Sequence, residues 1–249
     1  MKQLLKTLTD FFRIKNKKVK IANYAISGLL VIYLGLRIYP NFLFGHSFKY
    51  KNFNVYSTQP LGDSIQTVLD ETEIKLSSSE IYDKGLTHNI YLCNNYTLYT
   101  FLAPFSRKAF ACNYPVINNI FIANCDIDKN EAYKNNAKDQ YIRQLSALIT
   151  HEMTHTFIEQ KIGFWKFRTL SSWKNEGYCD YVGYGQADNL KEGQKFLLIS
   201  KNDKKPGTEY RKYYIAVNYL MTVKNMTFDN LLSTDQSFEE VLNKVELEQ

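Results

Sequence analysis

HEMTHTFIEQKIG, residues 151–163, decides how this chain folds, and SSWKNEGYCDY, residues 171–181, completes the pattern. His151, Glu152 and His155 form H-E-x-x-H. Four residues make about one helical turn, so on a helix both imidazoles leave the same face and can share one metal ion. Glu152 lies beside them, where it can act on a metal-activated water. Zinc in hydrolytic sites takes three protein ligands and leaves a position for water. Glu176 comes 21 residues after His155, and on a second helix it shares a face with Asp180. The expectation is one Zn2+ per chain, held by His151, His155 and Glu176. Asp180 accepts a hydrogen bond from a ligating histidine, His151 before the other, and so fixes its tautomer. Glu152 is the general base, taking the proton of the water and passing it to the leaving amine.

Working outward, the apolar stripe of Ile142, Leu145, Leu148, Ile149, Phe157 and Ile158 predicts a helix over about 139–162, stopped by Gly163. A second helix should start at Ser171-Ser172 and run to Tyr184. Further helices are expected over 210–224 and 237–247. Upstream, Leu61, Ile65, Val68, Leu69 and Ile74 fall near helical spacing until the serines at 77–79. HNIYL (88–92) and NIFIA (119–123) read as short strands. The stretch between, YTLYTFLAPFSRKAFACNYP, reads as strand and loop. A helix and strands first, helices afterwards, is an α+β pattern.

The formal charge of +6 suggests nucleic acid until it is located. Residues 1–20 hold seven of the 31 basic residues and one of the 25 acidic ones, which leaves 24 of each in the rest of the chain. A basic face on the folded part is not indicated, and no nucleic-acid partner is expected. IANYAISGLLVIYLGL (21–36) has no charged residue. Arg37 interrupts it, but a snorkelling arginine extends the usable span through Tyr39. Basic residues ahead of an apolar run place the N-terminus in the cytoplasm and the rest across the cell membrane, as a single-pass protein. A cleaved signal peptide would want small residues after the run, and LRIYPNF offers none. A buried helix is the third alternative. The expected layout is a basic tail (1–20), a transmembrane anchor (21–39), a connector (40–60) and one domain (61–249).

HEMTH followed by WKNEGYCDY resembles the gluzincin zinc peptidases, the group of thermolysin and aminopeptidase N. The Trp…Glu-Gly…Asp-Tyr form is most similar to small stand-alone peptidase MA-like domains. The likeness covers roughly residues 85–245. It implies a zincin-like fold, in which a small β-sheet joins an active-site helix and C-terminal helices, and a peptide or protein substrate. It also implies a strand some thirty residues before the first histidine that pairs with substrate backbone; Phe121, Ile122 and Ala123 stand there. A tyrosine or histidine of the family steadies the oxyanion. Tyr210 in EYRKYYIAVNYL matches best, with Tyr213 and Tyr214 as competitors and a core role for Tyr210 equally open. The G-A-M-E-N-type exopeptidase motif is missing, so amino-terminal specificity is not implied. From another class, the rival is a membrane-tethered binding or scaffold protein with a structural or inactive zinc site.

Three smaller features complete the sequence. Cys179 sits inside the motif as packing, and Cys93–Cys112 is the preferred disulfide among the other three cysteines. His88, on a strand, reads as packing rather than as a ligand. Asp126-x-Asp128-x-Asn130 starts like a calcium loop but lacks the later Gly and Glu, so it reads as a solvated turn.

Overall fold

The computed structural model describes residues 17–134, 142–185, 190–201, 203 and 205–248. Most of the expected basic tail, residues 1–16, lies outside them, as do 139–141 of the expected long helix. The chain divides between Leu43 and Phe44 into two units.

The first unit contains α1 (Lys17–Ile38). It is the one described helix long and apolar enough to cross a membrane, with a mean hydropathy of 1.6. None of its residues is buried, and Leu29 and Val31 are exposed, unlike a core helix. The Arg37 guanidinium lies 5.7 Å over the Tyr33 ring, which shields the charge beside the apolar run.

The second unit begins with β1 (His46–Tyr50) and β2 (Phe53–Ser57), then α2 (Ser64–Leu76), β3 (His88–Leu92) and α3 (Tyr96–Leu102). Next come β4 (Ala111–Tyr114), β5 (Asn119–Ile122), β6 (Asn124–Asp126), β7 (Glu131–Tyr133) and β8 (Ile142–Gln144). The helices α4 (Leu145–Ile162), α5 (Phe164–Thr169), α6 (Ser172–Tyr184), α7 (Leu190–Ile199) and α8 (Pro206–Asn218) follow. α9 (Phe228–Ser233) and α10 (Phe238–Leu247) close the chain, so the architecture is α+β.

Residues 46–57 correct the expectation of a connector. They form a hairpin whose second strand alternates buried and half-buried side chains, the period of a strand with one face in a core. The main sheet runs β1-β2-β3-β5-β4, with β2, β3 and β5 parallel and the outer strands antiparallel. Its two faces differ. Val55, Ile90 and Ile120 align across three strands and belong to the core that includes α4. On the opposite face Tyr56, Tyr91 and Phe121 stack in a ladder with centroids 5.0 Å apart at each step. The antiparallel sheet β6-β7-β8 leads straight into α4. The Asp126–Asn130 segment is the turn of that sheet: Asp126 accepts the Lys129 N–H at 3.2 Å and Asn130 is left-handed at φ 53°.

α4 starts later than its apolar stripe suggests, because residues 142–144 are extended as β8. Gln144, the residue before it, gives no side-chain cap. The cap comes from Asn130 instead: its Oδ1 accepts the Ser146 N–H and its carbonyl accepts the Leu145 N–H, both at 2.8 Å. Glu71 of α2 accepts from Ser146 Oγ at 2.9 Å, which sets a carboxylate at the positive end of the helix. α4 is buried nearly all round rather than along one stripe. Its threonines bond back inside the helix, Thr150 Oγ1 to the Ser146 carbonyl and Thr154 Oγ1 to that of Thr150, both at 2.8 Å. Gly163, at φ 82°, ends it as expected.

Two further expectations change. Residues 96–102 are helical, capped by the Asn95 side chain on the Leu98 N–H. All four cysteines are free thiols, so Cys93 and Cys112 do not pair. Cys93 follows β3 and Cys112 lies on β4, with β5 between them. Two strand spacings are about 9–10 Å, beyond the ~7 Å Cα separation a disulfide can span.

Candidate metal centre

α6 delivers Glu176 and Asp180 to the histidine face of α4, and two glycines allow it. A Cβ on Gly183 would stand 2.8 Å from the Ala147 carbonyl of α4, and one on Gly177 2.6 Å from the Tyr213 carbonyl of α8. Both lie far inside van der Waals contact, so α6 passes closer to its neighbours than any larger residue permits.

The sequence-predicted ligands converge. His151 Nε2 is 3.2 Å from Glu176 Oε2, His155 Nε2 is 3.7 Å from the same oxygen, and the two Nε2 atoms are 3.2 Å apart. Two ligand atoms bonded to one tetrahedral ion at ~2.0–2.1 Å lie roughly 3.3–3.4 Å apart. The three donors therefore have the spacing that a single small ion imposes. Behind them the other ring nitrogens are held. His151 Nδ1 is 2.7 Å from Asp180 Oδ1, and His155 Nδ1 is 3.1 Å from Asn175 Oδ1. These contacts turn each Nε2 inward, its lone pair free to be given to a metal. Asp180 also accepts from Arg143 Nη2 at 2.6 Å, and Arg143 Nε donates to the Tyr184 hydroxyl at 2.6 Å.

A second donor set overlaps the first. His151, His155 and Cys179 offer ligand atoms all within 4.8 Å of one another. Cys179 Sγ, however, lies 3.2 Å from His155 Nδ1, the nitrogen turned away from Glu176 and shared with Asn175. Burial also pushes the Cys179 thiol far up, and a neutral thiol is a poor ligand. The geometry favours the set with Glu176.

Electrostatics agree with a cation here. Glu152, Glu176 and Asp180 line one cleft beside the two histidines, and Arg143 pairs with Asp180. Burial disfavours a charged His151, yet Asp180 and Glu176 overcome it and hold the ring above the ordinary histidine range. Burial likewise works against the Glu176 carboxylate, but His155 and His151 keep it below its usual range. Such a site draws positive charge, as a proton or as a metal ion.

A cleft of about 1230 Å³ opens over these groups, and Glu152 and Tyr210 both line it. Glu152 is buried at 8% exposure, on the same helix as the histidines. Tyr213 donates to Glu209 at 2.6 Å and Tyr214 to the Gly185 carbonyl at 2.9 Å, so both hydroxyls are occupied elsewhere. The Tyr210 hydroxyl makes no hydrogen bond among the described residues. Burial, then the charges of Glu176, Asp180 and Glu152, push its hydroxyl up to about 12, so it stays protonated and able to donate.

Phe121, Ile122 and Ala123 are not where a substrate could pair. β5 is bonded to β3 on one edge and β4 on the other, and the Ala123 N–H is taken by the Phe110 carbonyl at 2.9 Å. Phe121 is spent in the aromatic ladder on the far face. Beyond β5 the sheet ends at the edge strand β4, and its Ala111, Cys112, Asn113 and Tyr114 all line the cleft. Antiparallel ladders alternate bonded and non-bonded pairs. With Phe110 paired to Ala123, the backbone groups of Ala111 and Asn113 face outward. The Asn113 side chain donates to the Glu152 carbonyl and, at 2.9 Å, to Thr156 Oγ1, which ties this edge to α4. The sequence reading placed β4 only as part of a strand-and-loop stretch, and missed Asn113, Asn175, Arg143 and Tyr184. Asn175 was the accessible one, since it adjoins Glu176 and sits four residues before Cys179 on one face. The chain matches no protein-family model and no curated protein.

Proposed function

We propose that this chain is a membrane-anchored, zinc-dependent peptidase with a zincin-like fold. What carries the reading is the convergence of His151 Nε2, His155 Nε2 and Glu176 Oε2 at 3.2–3.7 Å, each histidine held from behind by Asp180 or Asn175. These three residues would hold the ion. When bound, zinc supplies Lewis acidity to the scissile carbonyl and brings the pKa of a water toward ~7. The remaining work falls to side chains and backbone of this chain. Glu152 Oε takes the proton of the attacking water and returns it to the leaving nitrogen. The Tyr210 hydroxyl donates to the carbonyl oxygen as negative charge gathers there. The β4 edge, through Ala111 and Asn113, aligns substrate backbone as an added strand. Asn113 links that strand to the helix of Glu152, so substrate and base keep one register.

The test measures zinc content and peptide hydrolysis on the same preparations of the full chain in detergent. The parent should hold one zinc and cleave members of a mixed peptide pool. Glu152→Gln should keep its zinc and lose ~10²–10⁴-fold in rate, since the amide cannot take the proton. His155→Ala and Glu176→Ala should lose most of the metal. A Glu152→Gln protein as active as the parent excludes this mechanism. A parent that binds zinc and cleaves nothing moves the weight to the tethered binding protein.

A further inference from the structure

The charge of the cleft contrasts with that of the chain around it. Beyond residues 1–20 basic and acidic residues balance at 24 each. The described lining of the cleft nevertheless carries Arg107, Lys108, Lys134, Arg143, Arg168 and Arg211. Its acids are Glu152, Glu176 and Asp180, all at the metal centre. Away from that centre every charge on the lining is positive among the described residues.

Arg143 is committed to Asp180, and Arg168 lends its charge to the buried Glu159. Arg107, Lys108 and Arg168 are exposed, and with Lys134 they make no ion pair among the described residues. Several rest on aromatic rims: Lys134 lies 5.9 Å over Phe110, Arg168 5.1 Å over Phe164 and Arg211 5.1 Å over Tyr214. Such stacking holds a cation in place at the rim of the cleft. Arg107 and Lys108 stand just ahead of the edge strand β4, and Arg211 follows Tyr210. The bases thus flank the line along which a peptide would lie. A concave surface of one sign focuses its field on whatever enters.

We infer that the cleft selects acidic peptides, with Asp or Glu residues flanking the bond presented to the metal centre. This rests on the peptidase reading for its chemistry but not for its recognition. Nucleic acid is the less fitting polyanion, because the basic groups line a walled cleft beside a strand edge rather than spreading over an open face.

Recognition is tested apart from turnover on the full-length Glu152→Gln protein in detergent. Three dye-labelled peptides of one length, bearing Glu, Gln or Lys at the flanking positions, are titrated by fluorescence anisotropy. The Glu peptide should bind at least about tenfold tighter than the Lys peptide at ~0.1 M salt, and the gap should shrink several-fold at ~0.5 M. Arg107→Glu with Lys108→Glu should erase on the order of tenfold of that preference, as two exposed charge reversals would. Lys49→Glu with Lys195→Glu, both exposed and outside the cleft, should leave the preference as it was. Equal binding of the three peptides overturns the inference, and so does an oligonucleotide of matched charge that binds as well as the Glu peptide. The parent protein separates the two ideas. Binding preference without cleavage of any peptide keeps the inference while refuting the peptidase. Cleavage of all three peptides at equal kcat/KM overturns the inference and keeps the peptidase.

Discussion

Gly177→Ala changes one hydrogen to a methyl group in the middle of α6, where intrinsic preference says the protein should gain. Alanine is favoured over glycine inside a helix by about 0.8–1 kcal/mol. The packing says otherwise. The new Cβ would lie 2.6 Å from the Tyr213 carbonyl oxygen and 2.6 Å from Val217 Cγ2, both on α8. Close C–H···O approaches between helices settle at ~3.3–3.6 Å, so α8 must retreat by roughly 0.7 Å or more. Val217 is fully buried and the other neighbour is backbone, so neither can simply swing aside. Overpacking of this kind costs about 1–3 kcal/mol. The net expectation is a loss of up to about 2 kcal/mol where a free helix would have gained about 1. Urea unfolding of the variant beside the parent reads this directly, as does Tm, at ~2–4 °C per kcal/mol for a domain of this size. Gly207→Ala is the control, because a Cβ there meets nothing within 4 Å. It should come out at or above the parent. Zinc retention should weaken in Gly177→Ala alone, since Glu176 is the adjacent residue. A Gly177→Ala protein as stable as Gly207→Ala would refute the close approach of α6 and α8.

Three other outcomes follow from particular groups. His88 is fully buried 5.3 Å from the Phe157 ring, and burial, opposed by the Leu86 carbonyl, brings its pKa down to about 4 from 6.5. Its neutral form supports the fold fully above pH 6.5, and that support is lost as pH falls toward 4, on the order of 3 kcal/mol in all. His88→Phe should therefore flatten the pH dependence of the urea midpoint in that window, measured zinc-free on both proteins; an unchanged slope refutes it. Asp180→Asn leaves the half-buried Arg143 without its carboxylate and should cost about 3 kcal/mol or more of stability. The same change should weaken zinc binding by ~10–100-fold, read by competition with a chelator, because the Asp180–His151 contact is lost. Removal of residues 1–43 should release the protein from membranes, and external protease should strip a C-terminal tag from intact cells carrying the full chain.

The candidate metal centre was legible because a helix encodes neighbours at fixed spacing. His151 with His155, and Glu176 with Asp180, are each four apart, and the second helix runs from Ser172 to Tyr184 as its residues suggested. What escaped depended on contacts distant in sequence. The start of α4 is set by Asn130, across a segment and a strand, so the apolar stripe alone extended it too far. The edge of the sheet was misplaced for a related reason. Residues 119–122 are the more strand-like, and all four are buried, which is the mark of an interior strand covered on both faces. The edge belongs to the short, more polar Ala111–Tyr114, whose Asn113 and Cys112 weaken any strand signal. Strand order, here β3-β5-β4, does not follow chain order, and no local pattern gives it away. The hairpin at 46–57 could have been read, since Phe53, Val55 and Ser57 alternate with half-buried neighbours.

The helix bearing both histidines is buried on nearly every side. In an enzyme whose reactive groups sit on surface loops, heat or denaturant can silence activity long before the molecule melts, because the loops loosen first. Here no such early step is available to His151 and His155 on α4. Its backbone amides should be among the last to exchange with solvent, and an ion held by His151, His155 and Glu176 would reach solvent through the cleft that these residues line. Cell conditions that strip the metal would then yield an intact, refillable protein rather than a partly unfolded one, and loss of function by unfolding would be abrupt.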